Sequence, residues 1–238
     1  MIDSGPESVA TALSGFFVSI TNSSMTHSSI THRRSAAMLM QCRSGSRVVL
    51  GRFLRSVVLV VAVSAPGIVA AVEVGGPAPV FEAIDDTGAV WKSTDHVGKG
   101  LLVVYFYPAD MTGGCTKQAC GFRDDMKPLA DKSVTVVGVS GDSVRNHQLF
   151  KKEYGLPFAL LADTEGKVAE AFGVPLTRGE KVVTKEVGGK AEDFVRNVTT
   201  KRWTFVIDAK GTVISKNTEV AAADDSKAIL SLLDGGAK

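Results

Sequence analysis

The segment Leu101-Leu-Val-Val-Tyr-Phe-Tyr107 is apolar or aromatic at every position and is followed at once by Pro108. A strand buried on both faces reads this way, because a sheet covered front and back leaves no wet side for polar residues. Such a strand needs covering layers, and the chain supplies them in alternation. A helical stretch is expected from about Gly114 to Met126, closing near Pro128, whose ring disfavours helical geometry in the residue before it. Val134-Thr-Val-Val-Gly-Val-Ser140 repeats the strand signal, a helix near Ser143 to Tyr154 follows with Asp142 or Ser143 as its cap, and Ala159-Leu-Leu161 gives a short strand. A brief helix at Val168 to Phe172, a hairpin of Trp203–Asp208 and Thr212–Ile214 about Gly211, and an amphipathic helix from Asp224 to Leu233 complete the run. Upstream, Pro79-Val-Phe81 is extended and Asp85-Asp-Thr-Gly88 is a turn. Alternation of this kind implies an α/β layer fold. Between Pro175 and Arg202 the composition turns to Arg, Lys, Glu, Gly and Val without a clear period, which predicts a long loop or a small excursion beside the fold.

Charge divides the chain in two. No Asp or Glu lies between Glu7 and Glu73, while six arginines do, leaving residues 73–238 with 21 of the 27 basic and 23 of the 25 acidic groups. A weakly acidic body lacks the basic footprint that nucleic acid requires, so no nucleic-acid partner is expected. Residues 1–72 read as a leader. Arg47, Arg52 and Arg55 precede the apolar run Val57–Val63, and the small-residue stretch through Ala70-Ala71 ends before Glu73, in the order of a signal peptide. Cleavage after Ala70 or Ala71 would leave one domain, 73–238 in round terms. The run from Val57 to Val72 is broken by Ser64 and Pro66-Gly67 and falls short of the roughly 20 residues a spanning helix needs. Export, to a bacterial periplasm, is the expectation. An organelle lumen such as the chloroplast's, or a membrane anchored through an uncleaved leader, are the alternatives. Translation beginning at Met38 or Met40 would give a leader of ordinary length, and Cys42 would be removed with it.

The mature chain then holds two cysteines, Cys115 and Cys120, both at the start of the helix after the buried strand. An even pair in an exported protein suggests a disulfide. Helical geometry makes it an unusual one, since five residues of helix separate the Cα atoms by roughly 8 to 9 Å, beyond the ~7 Å that bridging tolerates. Either the thiols do separate jobs or the helix unwinds when they join. Cys115 sits in the first turn, where unpaired N–H groups and the positive end of the helix dipole favour a thiolate. Thr112, three residues earlier, places a hydroxyl near the sulfur or an incoming oxygen, and Pro108 bends the chain out of the strand. The alternative is that both cysteines are buried spectators. His96 and His147 lack ligand partners at metal spacing and are expected at the surface.

The segment Tyr107-Pro-Ala-Asp-Met-Thr-Gly-Gly-Cys-Thr-Lys-Gln-Ala-Cys120 resembles the active-site region of peroxiredoxins of the Q type, the bacterioferritin comigratory proteins. The resemblance spans roughly Glu73 to Leu233. Pro108, Thr112 and Cys115 match the family's Pro-x-x-x-Thr-x-x-Cys motif, Cys120 its resolving position, and Arg202, before Trp203-Thr-Phe-Val-Ile-Asp208, its active-site arginine. One position departs: Gly113 stands where members commonly carry Pro, which implies a more flexible loop. The resemblance implies a thioredoxin-like fold, a central mixed sheet flanked by helices. It also implies a thiol-dependent peroxidase that needs no metal or cofactor. Cys115 would attack the hydroperoxide and become a sulfenic acid, with Arg202 and the Thr112 hydroxyl donating to the oxygens. Cys120 would form the disulfide, and thioredoxin or a thioredoxin-like dithiol protein would reduce it. A self-contained pair is compatible with a monomer or weak dimer. Arg123, eight residues after Cys115, either adds positive potential or pairs with a neighbouring carboxylate. Two rivals remain at this point. A disulfide reductase normally uses Cys-x-x-Cys, and a binding module would use the cysteines only to sense oxidation.

Overall fold

Each strand run predicted from the sequence is a strand in the computed structural model, which describes residues 72–235. The leader assignment therefore lies outside the described residues, apart from Val72, which is buried and whose carbonyl accepts a hydrogen bond from Lys216 Nζ at 2.9 Å. A hairpin opens the described residues: β1 (Glu82–Asp85) and β2 (Val90–Lys92) are joined by a turn in which the Asp85 carboxylate accepts from the amides of Thr87 and Ala89. The inner strand β3 (Leu101–Phe106) leads to α1 (Gly113–Asp124) and α2 (Met126–Asp131). Next come β4 (Val134–Ser140), α3 (Val144–Tyr154), β5 (Ala159–Ala162) and α4 (Lys167–Ala171). A long pair, β6 (Leu176–Val187) and β7 (Lys190–Thr200), precedes β8 (Trp203–Ile207), β9 (Val213–Asn217) and α5 (Asp225–Gly235).

Seven strands form one mixed sheet in the order β2-β1-β5-β4-β3-β8-β9. The pairs β3–β4 and β4–β5 are parallel, and the rest are antiparallel. The all-apolar β3 is explained by its place, with β4 on one side, β8 on the other, and a core on each face. Val103, Tyr105 and Tyr107 face a cluster with Cys115, Ala119 and Phe122 of α1, Leu129, Phe150 and Ile229. Leu102, Val104 and Phe106 face the opposite cluster with Phe81, Trp91, Phe172 and Phe205. Each fully buried side chain of this size contributes about 1.5–3 kcal/mol to stability.

One expectation is corrected. The helix after β3 ends at Asp124, and Pro128 does not close it; Pro128 lies within the first turn of α2, where its missing N–H costs no helical bond. Of the two readings for the stretch 175–202, the structure has the excursion beside the fold and not the loop: the β6–β7 hairpin is a separate two-stranded sheet turning at Gly188-Gly189, both at positive φ (57° and 79°), as a two-residue hairpin turn demands. Phe194 and Val198 bury themselves against the main body while Val182 and Val195 point outward, half exposed. The hairpin is tied to α3 through Asn146 Nδ2, which donates to the Val195 carbonyl at 3.2 Å, and through the Arg145–Glu192 ion pair.

Candidate active site

Beyond β3 the Tyr107 amide still donates to the Val139 carbonyl, so the chain leaves the sheet at Pro108. Thr112 takes extended geometry (φ −92°, ψ 145°) and starts α1 without capping it through its side chain. Cys115 is the third helical residue and is buried, 1% exposed. Its sulfur faces a cation: Arg202 Nη2 donates to Sγ at 3.2 Å. Arg202 arrives there because β8 runs antiparallel to β3 with Trp203 opposite Phe106, which puts the preceding residue where β3 gives way to the loop. Gly114 leaves room for it, since a Cβ there would lie 3.3 Å from Arg202 Nη2.

The guanidinium is itself held. Nη1 donates to Gln118 Oε1, Gln118 Nε2 donates to Asp225 Oδ2 at 2.7 Å, and Thr204 Oγ1 donates to the same oxygen at 2.8 Å. Because the group next to Arg202 is a neutral amide, the guanidinium is oriented without a directly bonded carboxylate and keeps its charge for the sulfur. Burial pushes the Asp225 carboxyl above its usual range, with the bonds from Gln118 and Thr204 opposing the shift. The Thr112 hydroxyl donates to the Ala109 carbonyl at 3.0 Å. Its one hydrogen is therefore committed, and toward an oxygen at Cys115 it offers lone pairs. Pro108 is partly buried and walls a cleft of about 320 Å3 shared with Pro175, Leu176, Thr200 and Lys201. Gly113, expected to loosen the loop, is the first residue of α1 with ordinary helical hydrogen bonding behind it.

Cys120 lies on the same helix but is partly exposed, and both thiols are free. Burial raises its pKa above the ordinary thiol value; nearby Arg123 opposes this and Asp124 adds to it. Arg123 itself pairs with Asp124 and donates to the Tyr154 carbonyl at 2.7 Å, tying α1 to the end of α3. Arg123 thus pairs with a neighbouring carboxylate and also adds positive potential at Cys120. Among the described residues no group of three His, Cys, Asp or Glu side chains could hold a metal ion, and no helix is long and apolar enough to cross a membrane.

Residues 74–216 match the model of the AhpC/TSA family. The chain belongs to that family, among its peroxiredoxins of the Bcp or Q type. Peroxiredoxin Bcp of Bacillus subtilis is 40% identical over 153 residues, 64% of this chain and 89% of that protein. The crystal structure of peroxidoxin BcpB from Mycobacterium tuberculosis superposes with a TM-score of 0.57 at 33% identity, over 69% of this chain and 97% of the other. The bacterioferritin comigratory protein of Xanthomonas campestris, studied for alkyl peroxide reduction, matches at 28% identity with a TM-score of 0.54, over 66% and 92%. The mixed sheet with flanking helices is thus the thioredoxin-like fold of the peroxiredoxins.

In this peroxiredoxin the loop carrying Pro108 and Thr112 is also pinned from beneath, chiefly through Asp110. Asp110 is 2% exposed. One of its oxygens accepts from the Tyr107 hydroxyl at 2.7 Å, the other lies 2.8 Å from His147 Nδ1, and its amide donates to Asp142 Oδ2 at 2.9 Å. Asp142 in turn accepts from Ser140 Oγ and Asn146 Nδ2, which leaves Ser143 to cap α3. His147 was expected at the surface and is completely buried. The reason is position: with Phe150 it occupies the inward stripe of α3, three residues apart. Burial disfavours its charged ring, but the adjacent Asp110 carboxylate and its hydrogen bond prevail, so its pKa is raised above the ordinary 6.5. Nε2 faces the Leu161 carbonyl without closing a good hydrogen bond. Met111, next in the loop, is held at φ 59°. His96 is half-buried and stacks on Trp91 with ring centres 4.4 Å apart. The signal for His147 was available in the helical period; Asp110 gave none, since its partners lie up to 37 residues away.

Proposed function

We propose that the chain reduces hydroperoxides through a two-cysteine cycle, with Cys115 as nucleophile and Cys120 as resolving thiol. The observation that carries the reading is the Arg202 guanidinium donating to Cys115 Sγ at 3.2 Å inside the first turn of α1. Oriented donors at a helix start stabilise a thiolate and then the charge that moves onto oxygen as the O–O bond breaks. The thiolate attacks the terminal peroxide oxygen, water or an alcohol leaves, and Cys115 becomes a sulfenic acid. Arg202 and the backbone N–H groups of the first turn donate to the oxygens, while Thr112 accepts from the peroxide O–H. Pro108 screens the sulfur from bulk water. Cys120 then attacks the sulfenic sulfur and water leaves. For the sulfurs to meet, the start of α1 has to unwind, since an intact helix holds the Cα atoms roughly 8 to 9 Å apart. Thioredoxin or a thioredoxin-like protein returns both thiols by exchange.

The order Arg-rich, apolar, Ala-rich in residues 47–72 supports export with removal of the leader, to a periplasm or an organelle lumen, where a resident thioredoxin-like protein would be the reductant. A monomer or weak dimer suffices for a cycle confined to one helix. The test is NADPH-coupled consumption of hydrogen peroxide with a thioredoxin system. Wild type turns over and Cys115→Ser does not; equal rates in the two would overturn the assignment.

A further inference from the structure

One peptide unit of the active-site loop is gripped on both sides. The Ala109 carbonyl accepts from Thr112 Oγ1 at 3.0 Å, and the N–H of the same unit, on Asp110, donates to Asp142 Oδ2 at 2.9 Å. A peptide is planar and trans, so its carbonyl and its N–H point in opposite directions and turn together. Whatever fixes the N–H therefore fixes the carbonyl, and with it the Thr112 proton. The bonds with Tyr107 and His147 engage the Asp110 side chain and leave this rotation open. The loop needs such holding, because Met111, the next residue, sits at φ 59°, a strained region for a side chain that branches from an L-configured Cα. Asp142 is placed to supply it. It is fully buried in the turn after β4, Ser140 Oγ donates to Oδ2, and Asn146 Nδ2 donates to Oδ1. The turn is pressed against β7, where a Cβ at Gly141 would lie 2.1 Å from the Val198 carbonyl oxygen.

We propose that Asp142 is a positioning residue for the peroxide step: through the Ala109–Asp110 peptide it keeps the Thr112 proton on Ala109 and so leaves the Thr112 lone pairs for the peroxide O–H. The proposal rests on the peroxidase reading above. The Cys115 sulfur is engaged by Arg202 and not by this chain of bonds. Loss of Asp142 therefore slows attack on a peroxide, which needs the Thr112 acceptor, and spares reactions of the thiol that do not.

The test compares two reactions of Cys115 in the reduced full-length chain, oxidation by hydrogen peroxide and alkylation by iodoacetamide, each quenched at intervals and read at Cys115 by peptide mass spectrometry. Asp142→Ala slows the oxidation roughly ten-fold, as Thr112→Val does, and leaves alkylation at the wild-type rate. The double variant is no slower than Thr112→Val alone, because both residues act through one hydroxyl. Asp142→Asn keeps an acceptor oxygen for the Asp110 amide and recovers most of the rate. If Asp142→Ala does not fold, the coupling is read in reverse, since linkage is reciprocal. Thr112→Val frees the Ala109 carbonyl, so the Asp110 amide exchanges with deuterium at least about three-fold faster, while the Tyr107 amide, bonded to the Val139 carbonyl, does not change. Wild-type oxidation in Asp142→Ala, additive slowing in the double variant, an equal slowing of alkylation, or unchanged exchange at Asp110 overturns the role of Asp142 and leaves the peroxidase reading standing. Absence of Cys115 oxidation in wild type overturns both.

Discussion

The two thiols of α1 differ more than five residues of one helix would suggest. At its start Cys115 is buried, in hydrogen-bond contact with a guanidinium, on a loop fixed by Asp110, Asp142 and His147. Further along, Cys120 is partly exposed, and burial raises its pKa above the ordinary thiol value. The helix start favours a thiolate at Cys115 over Cys120, and Arg202, just ahead of β8, and the loop under Thr112 add to the difference. The different surroundings of the two thiols are thus in good part tertiary properties imposed on one short element.

The largest test of that contrast exchanges the thiols for hydroxyls. With thioredoxin as donor, both Cys115→Ser and Cys120→Ser lose steady-state turnover, but only Cys120→Ser consumes one equivalent of peroxide rapidly, as stopped-flow peroxide assays would register. Next in size is Arg202→Lys. A point charge on a flexible stem does not reproduce the fork that engages Sγ and Gln118 together, so kcat/KM falls about 10^2- to 10^3-fold, while alkylation of Cys120 is unaltered. Thr112→Val removes the bond to Ala109 and the acceptor facing the peroxide, and slows the first oxidation roughly ten-fold.

The smallest effect concerns the fixed end of the contrast. A group whose pKa is raised on folding stabilises fully below its unfolded value and loses that contribution as pH rises through the folded value. For His147 the loss therefore begins above about pH 6.5. His147→Gln unfolds about 1–3 kcal/mol more easily in urea at pH 6 and less differently at higher pH; a deficit that grows with pH would show that Asp110 does not hold a protonated ring.

Much of this was legible beforehand for physical reasons. Leu101–Tyr107 and Val134–Ser140 announced buried strands because burial on both faces leaves a continuous signature. Cys115 and Thr112 were legible because a helix start is a local feature, and Arg202 only through the family resemblance. The β6–β7 hairpin was hidden because its outward face mixes charges with Val182 and Val195, which blurs the alternation; Gly188-Gly189 was the readable clue. Asp225 could not be assigned from sequence, since its partner Gln118 lies 107 residues away. His147 was misjudged through its polarity, although its spacing from Phe150 already put it on the inward stripe of α3.

The division of labour within α1 is tested most directly by trapping. Each single Cys-to-Ser variant, reduced, receives one equivalent of hydrogen peroxide in the presence of dimedone, and peptide mass spectrometry locates the adduct. The account predicts an adduct on Cys115 in Cys120→Ser and none on Cys120 in Cys115→Ser; comparable labelling of Cys120 in Cys115→Ser would contradict it.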